Sequence, residues 1–65
     1  MKITFQGEKT ETRAANTADF LAERGVSAKE SVIELNGGIL IGEDALASPL
    51  EEDAAINAYR IVAGG

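Results

Sequence analysis

The stretch Ser31 to Ile41 constrains this fold more than any other part of the chain. Ser31-Val32-Ile33-Glu34-Leu35 alternates with the period of a half-buried strand, and Ile33 and Leu35 fall on one face. Asn36-Gly37-Gly38 follows, and Asn-Gly is the strongest short hairpin signal, because both turn residues must adopt positive φ. Ile39-Leu40-Ile41 reads as the return strand. The centre of the chain is therefore an antiparallel hairpin with an apolar face to bury.

The rest of the sequence is consistent with that hairpin. Met1-Lys2-Ile3-Thr4-Phe5-Gln6 alternates again, and Met1, Ile3 and Phe5 are expected to face inward. Gln6-Gly7-Glu8-Lys9 reads as a turn, with Gly7 supplying the unusual backbone angle. Glu8 to Arg13, polar with Thr10 and Thr12, reads as the second arm of a first hairpin, exposed and near an edge. Asn16-Thr17 is a helix start signal, because either side chain can accept an orphan backbone N–H. A helix is expected over Ala18 to Arg24, with Ala18, Leu21 and Ala22 on one face, Phe20 beside them and Gly25 as its C-cap. It is too short to stand alone and needs Phe20 and Leu21 packed on a sheet.

Gly42 to Ser48 reads as a loop with room for a helical turn around Leu46. Pro49 stops that turn, and Leu50 is a candidate anchor. The acidic stretch Glu51-Glu52-Asp53 leads into a last strand, Ala55 to Val62. Its Ile56 and Ala58 are expected to point to the core, with Asn57, Tyr59 and Ile61 on the other sheet face. There is no internal repeat or linker. The order strand, strand, helix, strand, strand, loop, strand predicts a single α+β domain over residues 1–65. The expected architecture is a four- to five-stranded mixed sheet with one helix packed on one face, which is the element order of the β-grasp fold.

Composition narrows the function classes. A 65-residue chain buries only about 60% of its unfolded surface, and small domains often compensate with disulfides or a metal. This sequence has no Cys and no His, so it has neither a disulfide nor a thiolate or imidazole zinc site. The same absences remove the thiol nucleophile and the usual acid–base residue near neutral pH, which argues against most enzyme classes. Eleven acidic residues against six basic ones give a net charge of −5, which disfavours nucleic acid as a partner. The acidic surface is read either as simple solvation or as steering toward a basic partner. No apolar run approaches the ~20 residues of a membrane span, and no signal-peptide pattern is visible. A soluble, cytoplasmic protein is expected.

The sequence ends Ile61-Val62-Ala63-Gly64-Gly65. The last predicted strand runs almost to the end, so a thin tail is expected to project from the body. Gly64 and Gly65 carry no side chains and allow backbone angles closed to other residues. Such a ribbon can thread a narrow channel and present the Gly65 carboxylate to a buried centre. Two terminal glycines can also be a frayed end or an expression scar. Here they follow an apolar strand directly, with no polar linker.

With these residues assembled, the chain resembles the ubiquitin-like sulfur carriers of the ThiS/MoaD type. The stretches that carry the resemblance are Ile3-Thr4-Phe5-Gln6-Gly7-Glu8, Asn16-Thr17 with Leu21, Val32-Ile33-Glu34-Leu35-Asn36-Gly37, Pro49-Leu50, and Tyr59-Arg60-Ile61-Val62-Ala63-Gly64-Gly65. They span essentially the whole length, and Ala63-Gly64-Gly65 is the most specific part. Shortness and Arg60-Ile61-Val62 before the tail place the chain nearer the thiamin carriers than the molybdopterin ones.

The resemblance implies a carrier rather than an enzyme, with no bound cofactor. An E1-like adenylyltransferase of the ThiF or MoeB type would use its own ATP and Mg²⁺ to adenylate the Gly65 carboxylate. A sulfur donor such as a cysteine desulfurase system would then convert it to a thiocarboxylate. A thiazole synthase of the ThiG type would receive the sulfur. Gly64 and Ala63 would thread the partner's channel, and Tyr59, Ile61 and Val62 are candidate docking residues. Tyr59 and Ile61 can equally be read as caps on a small core. Glu51, Glu52 and Asp53 are either a solvated turn or a contact for a basic rim, and Arg60 either pairs with a partner carboxylate or snorkels. Other readings are a carrier for molybdopterin, cysteine or homocysteine sulfur, a modifier conjugated to lysines, and a passive interaction domain.

Overall fold

A computed structural model of the chain describes residues 1–61; the expectations for Val62, Ala63, Gly64 and Gly65 lie outside the described residues. Five strands form one sheet: β1 (Lys2–Phe5), β2 (Glu8–Glu11), β3 (Ser31–Leu35), β4 (Gly38–Leu40) and β5 (Ala55–Arg60). Their order across the sheet is β2-β1-β5-β3-β4. β5 runs parallel to β1 and antiparallel to β3, so the sheet is mixed and the last strand lies at its centre. The helix α1 (Thr17–Glu23) packs on one face through Phe20 and Leu21, and a second, one-turn helix α2 (Glu43–Leu46) follows β4. This is the β-grasp arrangement.

Both hairpins close through two-residue turns. Gln6 and Gly7 have φ of 52° and 82°, and Asn36 and Gly37 have 51° and 87°. Positive φ at both central positions matches the right-handed twist of the flanking strands. Asn36 also braces the neighbouring strand, because its Oδ1 accepts the Ala55 N–H at 2.8 Å.

α1 begins where the sequence signal lies. Asn16 Oδ1 accepts the Asp19 N–H at 2.7 Å, and Gly25 takes φ of 69° just beyond the C-cap Arg24. The buried face differs from the expected one: it is Thr17, Phe20 and Leu21, while Ala18 and Ala22 are exposed. The helix is turned by its largest side chain. Burying Phe20 removes far more apolar area from water than burying an alanine, and Thr17 and Leu21 share its face at helical spacing. Phe20 meets Phe5 edge-on, with ring centroids 5.1 Å apart and planes at 75°.

The core is Ile3, Ala14, Phe20, Leu21, Ile33, Leu50, Ala54 and Ile56. Leu50 is the anchor expected of it, held by its N–H to the Ala15 carbonyl at 2.9 Å. Met1 is 38% exposed rather than inward. It precedes β1 at the sheet margin, where its amino group lies 3.1 Å from the Glu11 carboxylate. β2 is the expected edge strand but ends at Glu11. The chain then turns inward on Thr12, whose buried hydroxyl donates to Glu23 at 2.7 Å and accepts the Ala14 N–H at 3.0 Å. The return strand β4 sits one residue earlier than expected and leaves Ile41 outside it. β5 ends at Arg60 rather than Val62, although the Ile61 N–H still reaches the Glu30 carbonyl at 2.8 Å.

Candidate functional site

The site is the end of β5, where the chain leaves the sheet toward its last residues, together with the sheet face beside it. β5 has neighbours on both sides, so its end is held by the centre of the molecule rather than by a margin. Ile56 is fully buried and Ala58 packs against the core beneath α1. Alternation then places Ala55, Asn57, Tyr59 and Ile61 on the opposite, uncovered face.

Tyr59 is 54% exposed and Ile61 56%. They do not cap a core; they stand on an open surface. Tyr59 pairs with Val32 of β3, and Ile33 pairs with Leu40, the last residue of β4 before Ile41. Val32 and Tyr59 thus form an apolar pair on this face, with Ile61 two residues beyond Tyr59 and Ile41 one residue past the end of β4. The next row is polar at its centre: Asn57 Nδ2 donates to Glu34 Oε1 at 2.8 Å, with Ile39 paired beside Glu34. Ile39 is 53% exposed and Ile41 83%. Grouped exposed aliphatics around an aromatic are the composition of a contact surface rather than of a solvated sheet.

Ile39 and Ile41 were read from sequence only as parts of the return strand. The signal was present in the hairpin. Its apolar residues occupy both parities, Ile33, Leu35 and Leu40 on one face, Val32, Ile39 and Ile41 on the other. A hairpin buried on one side only would alternate cleanly with polar residues.

Charged groups near the site act mainly on the chain's own body. Arg60 lies 3.8 Å from Glu30, an exposed pair worth at most about 1 kcal/mol. The acidic turn before β5 is partly structural. Glu52 accepts the Lys2 N–H, the Asp53 N–H donates to the Lys2 carbonyl at 2.8 Å, and Asp53 takes φ of 66°. Glu51 is exposed. On the β1 side of β5, the Gln6 carboxamide bonds twice to Ala58: Oε1 accepts its N–H at 3.2 Å and Nε2 donates to its carbonyl at 2.9 Å.

Among the described residues no three His, Cys, Asp or Glu side chains converge on a point that could hold a metal ion. No described helix is long and apolar enough to cross a membrane.

No protein-family model and no curated protein matches the sequence. Among solved structures, the chain is similar to the thiamine biosynthesis protein ThiS from Geobacter metallireducens. The two superpose with a TM-score of 0.81 at 26% sequence identity, over 100% of both chains. The molecule described here is therefore a ThiS-like, ubiquitin-like β-grasp protein.

Proposed function

We propose that this chain is a sulfur carrier whose reactive group is the Gly65 carboxylate. The observation that carries the reading is the full-length likeness to a ThiS structure. It is supported by Ala63-Gly64-Gly65 standing three residues after the end of the central strand in sequence, and by the apolar face beside that strand's end.

A carboxylate is a poor acylating group because its charge is delocalised and its leaving group would be oxide. An E1-like adenylyltransferase overcomes this with ATP and Mg²⁺ held in its own pocket. A Gly65 oxygen attacks the α-phosphorus, pyrophosphate leaves, and an acyl-adenylate results. The terminal sulfur of a donor persulfide then attacks the acyl carbon and displaces AMP. A second thiol cleaves the resulting acyl disulfide, forming a disulfide and releasing the Gly65 thiocarboxylate. That species supplies sulfur to a thiazole synthase in thiamin biosynthesis.

The carrier contributes no catalytic side chain to these steps. It contributes the Gly65 carboxylate itself, and a surface on which the partners dock. Tyr59, Ile61 and Val62 belong to that surface in this reading, and Val32, Ile39 and Ile41 enlarge it. In this reading Gly64 and Ala63 thread the partner's channel, where residues this small suit a close approach of backbone.

Intact mass spectrometry tests the proposal. After incubation with ATP, a ThiF- or MoeB-type enzyme and a persulfide donor, the chain should gain about 16 Da, as sulfur replaces one terminal oxygen. A lysine-linked conjugate would instead make it a modifier. An unchanged mass with every such enzyme would leave a passive interaction domain.

A further inference from the structure

We propose that Gln6 is a positioning residue for the tail, acting through the backbone of Ala58. The proposal deepens the carrier reading and rests on it for its functional consequence. Its starting point is a rung of the sheet that no backbone makes.

β1 and β5 pair in parallel through Thr4–Ala55 and Phe5–Ile56. Their ladder includes Thr4 N–H to the Ala54 carbonyl at 2.8 Å and Gln6 N–H to the Ile56 carbonyl at 3.0 Å. Continued in the same pattern, the Ala58 N–H would meet the Gln6 carbonyl, and the Ala58 carbonyl would meet the N–H of residue 8. Neither bond can form. The chain turns at Gln6 and Gly7, both at positive φ, to enter β2.

The Gln6 side chain takes the place of that missing peptide unit. Its Oε1 stands where the Gln6 carbonyl would accept, and its Nε2 where the next amide would donate. A primary carboxamide is the side-chain group that carries both functions at peptide geometry. One side chain thereby extends the β1 ladder past its own turn and holds β5 until two residues before its end at Arg60. On the other side, β3 pairs with β5 as far as Arg60, and the carbonyl of Glu30, the residue before β3, accepts the Ile61 N–H. The strand that leads to Gly65 is thus clamped on both sides close to where it leaves the sheet. With the end of β5 already fixed, a partner that captures Gly65 need not order that strand end itself, which lowers the cost of binding.

Two variants separate this role from a merely structural one. Gln6→Met keeps length and removes both bonds. Gln6→Asn keeps the amide but is one methylene too short, while giving the Asn-Gly pair that this turn type prefers. In the free protein, the Ala58 amide should exchange with solvent about five- to tenfold faster in both variants, the loss expected for one such bonded rung. With the activating enzyme, both should raise KM for the carrier by about fivefold and leave kcat within about twofold, as expected when only preorganisation is lost. Gln6→Asn should do so without lowering the melting temperature. Wild-type exchange at Ala58, or wild-type KM in Gln6→Asn, would overturn the proposal. So would an equal rise in KM in Thr12→Val, a destabilised control remote from β5. The exchange measurement needs no enzyme. A chain never activated at Gly65 would therefore remove the carrier reading, and exchange at Ala58 would still decide whether the clamp exists.

Discussion

At the scale of single residues, polar side chains that stand in for backbone are the recurring device. Asn16 supplies a helix with an acceptor, Asn36 gives one to Ala55, Thr12 bonds an amide and a carboxylate at once, and Gln6 replaces a peptide unit. Each meets a backbone group that would otherwise cost free energy when shielded from water. Thr17 is the counter-example. It is fully buried on α1, and its hydroxyl has no hydrogen-bond partner among the described residues. Thr17→Val should therefore stabilise the protein by about 1 kcal/mol, because the shape is kept and an unsatisfied oxygen is removed. In a domain this small, that corresponds to a rise of about 4–8 °C in melting temperature. Destabilisation in a thermal melt would show that the hydroxyl is bonded after all. No pattern in the sequence marks Thr17 as buried, since a threonine after an N-cap is ordinarily solvated.

Among the elements, the sheet divides the labour between its two faces. The face under α1 holds Ile3, Ile33 and Ile56 with Phe20 and Leu21, and so carries the stability. The uncovered face holds Tyr59, Ile61, Ile39 and Ile41, whose exposure means that folding gains little from them. Tyr59→Ala and Ile41→Ser should accordingly change stability by no more than about 0.5–1 kcal/mol. Truncating a large apolar side chain that a partner buries typically costs about 1–2 kcal/mol of binding, so each variant should weaken association with the activating enzyme by about tenfold. Titration calorimetry against urea melts separates the two quantities. Unaltered binding would move the docking surface elsewhere. Substituting Phe20 on the other face, by contrast, acts on folding and not on recognition.

For the molecule as a whole, the final strand in sequence is the central strand in space. The described chain thus ends one residue beyond a strand that is flanked by β1 and β3. Body and tail should then be separable. Deleting Gly64-Gly65 should leave the melting temperature within about 2 °C, because the buried core runs from Ile3 to Ile56 and the last residues of a domain ordinarily add little to its stability. The same deletion should abolish ATP–pyrophosphate exchange by the activating enzyme. Exchange at the wild-type rate in the truncated chain would exclude Gly65 as the reactive group. A fall in melting temperature of many degrees would mean that the tail packs on the body.

By itself, the sequence determined the elements and their punctuation. Alternation in Met1–Gln6 and Ser31–Leu35, Asn36-Gly37, Asn16-Thr17 and Pro49-Leu50 are local signals, set by backbone sterics and capping chemistry within a few residues. Those signals located the strands, the helix start and the Leu50 anchor, and the resemblance they carry named the fold. Tertiary structure alone decided three other things. It chose the buried face of α1, because Phe20 outweighs the alanines only against a sheet that is already there. It joined Val32, Ile39, Ile41, Tyr59 and Ile61 into one surface, because those residues meet through register and not through spacing. It set Gln6 against Ala58, 52 residues away, because a parallel pairing brings together parts of the chain that no local pattern connects.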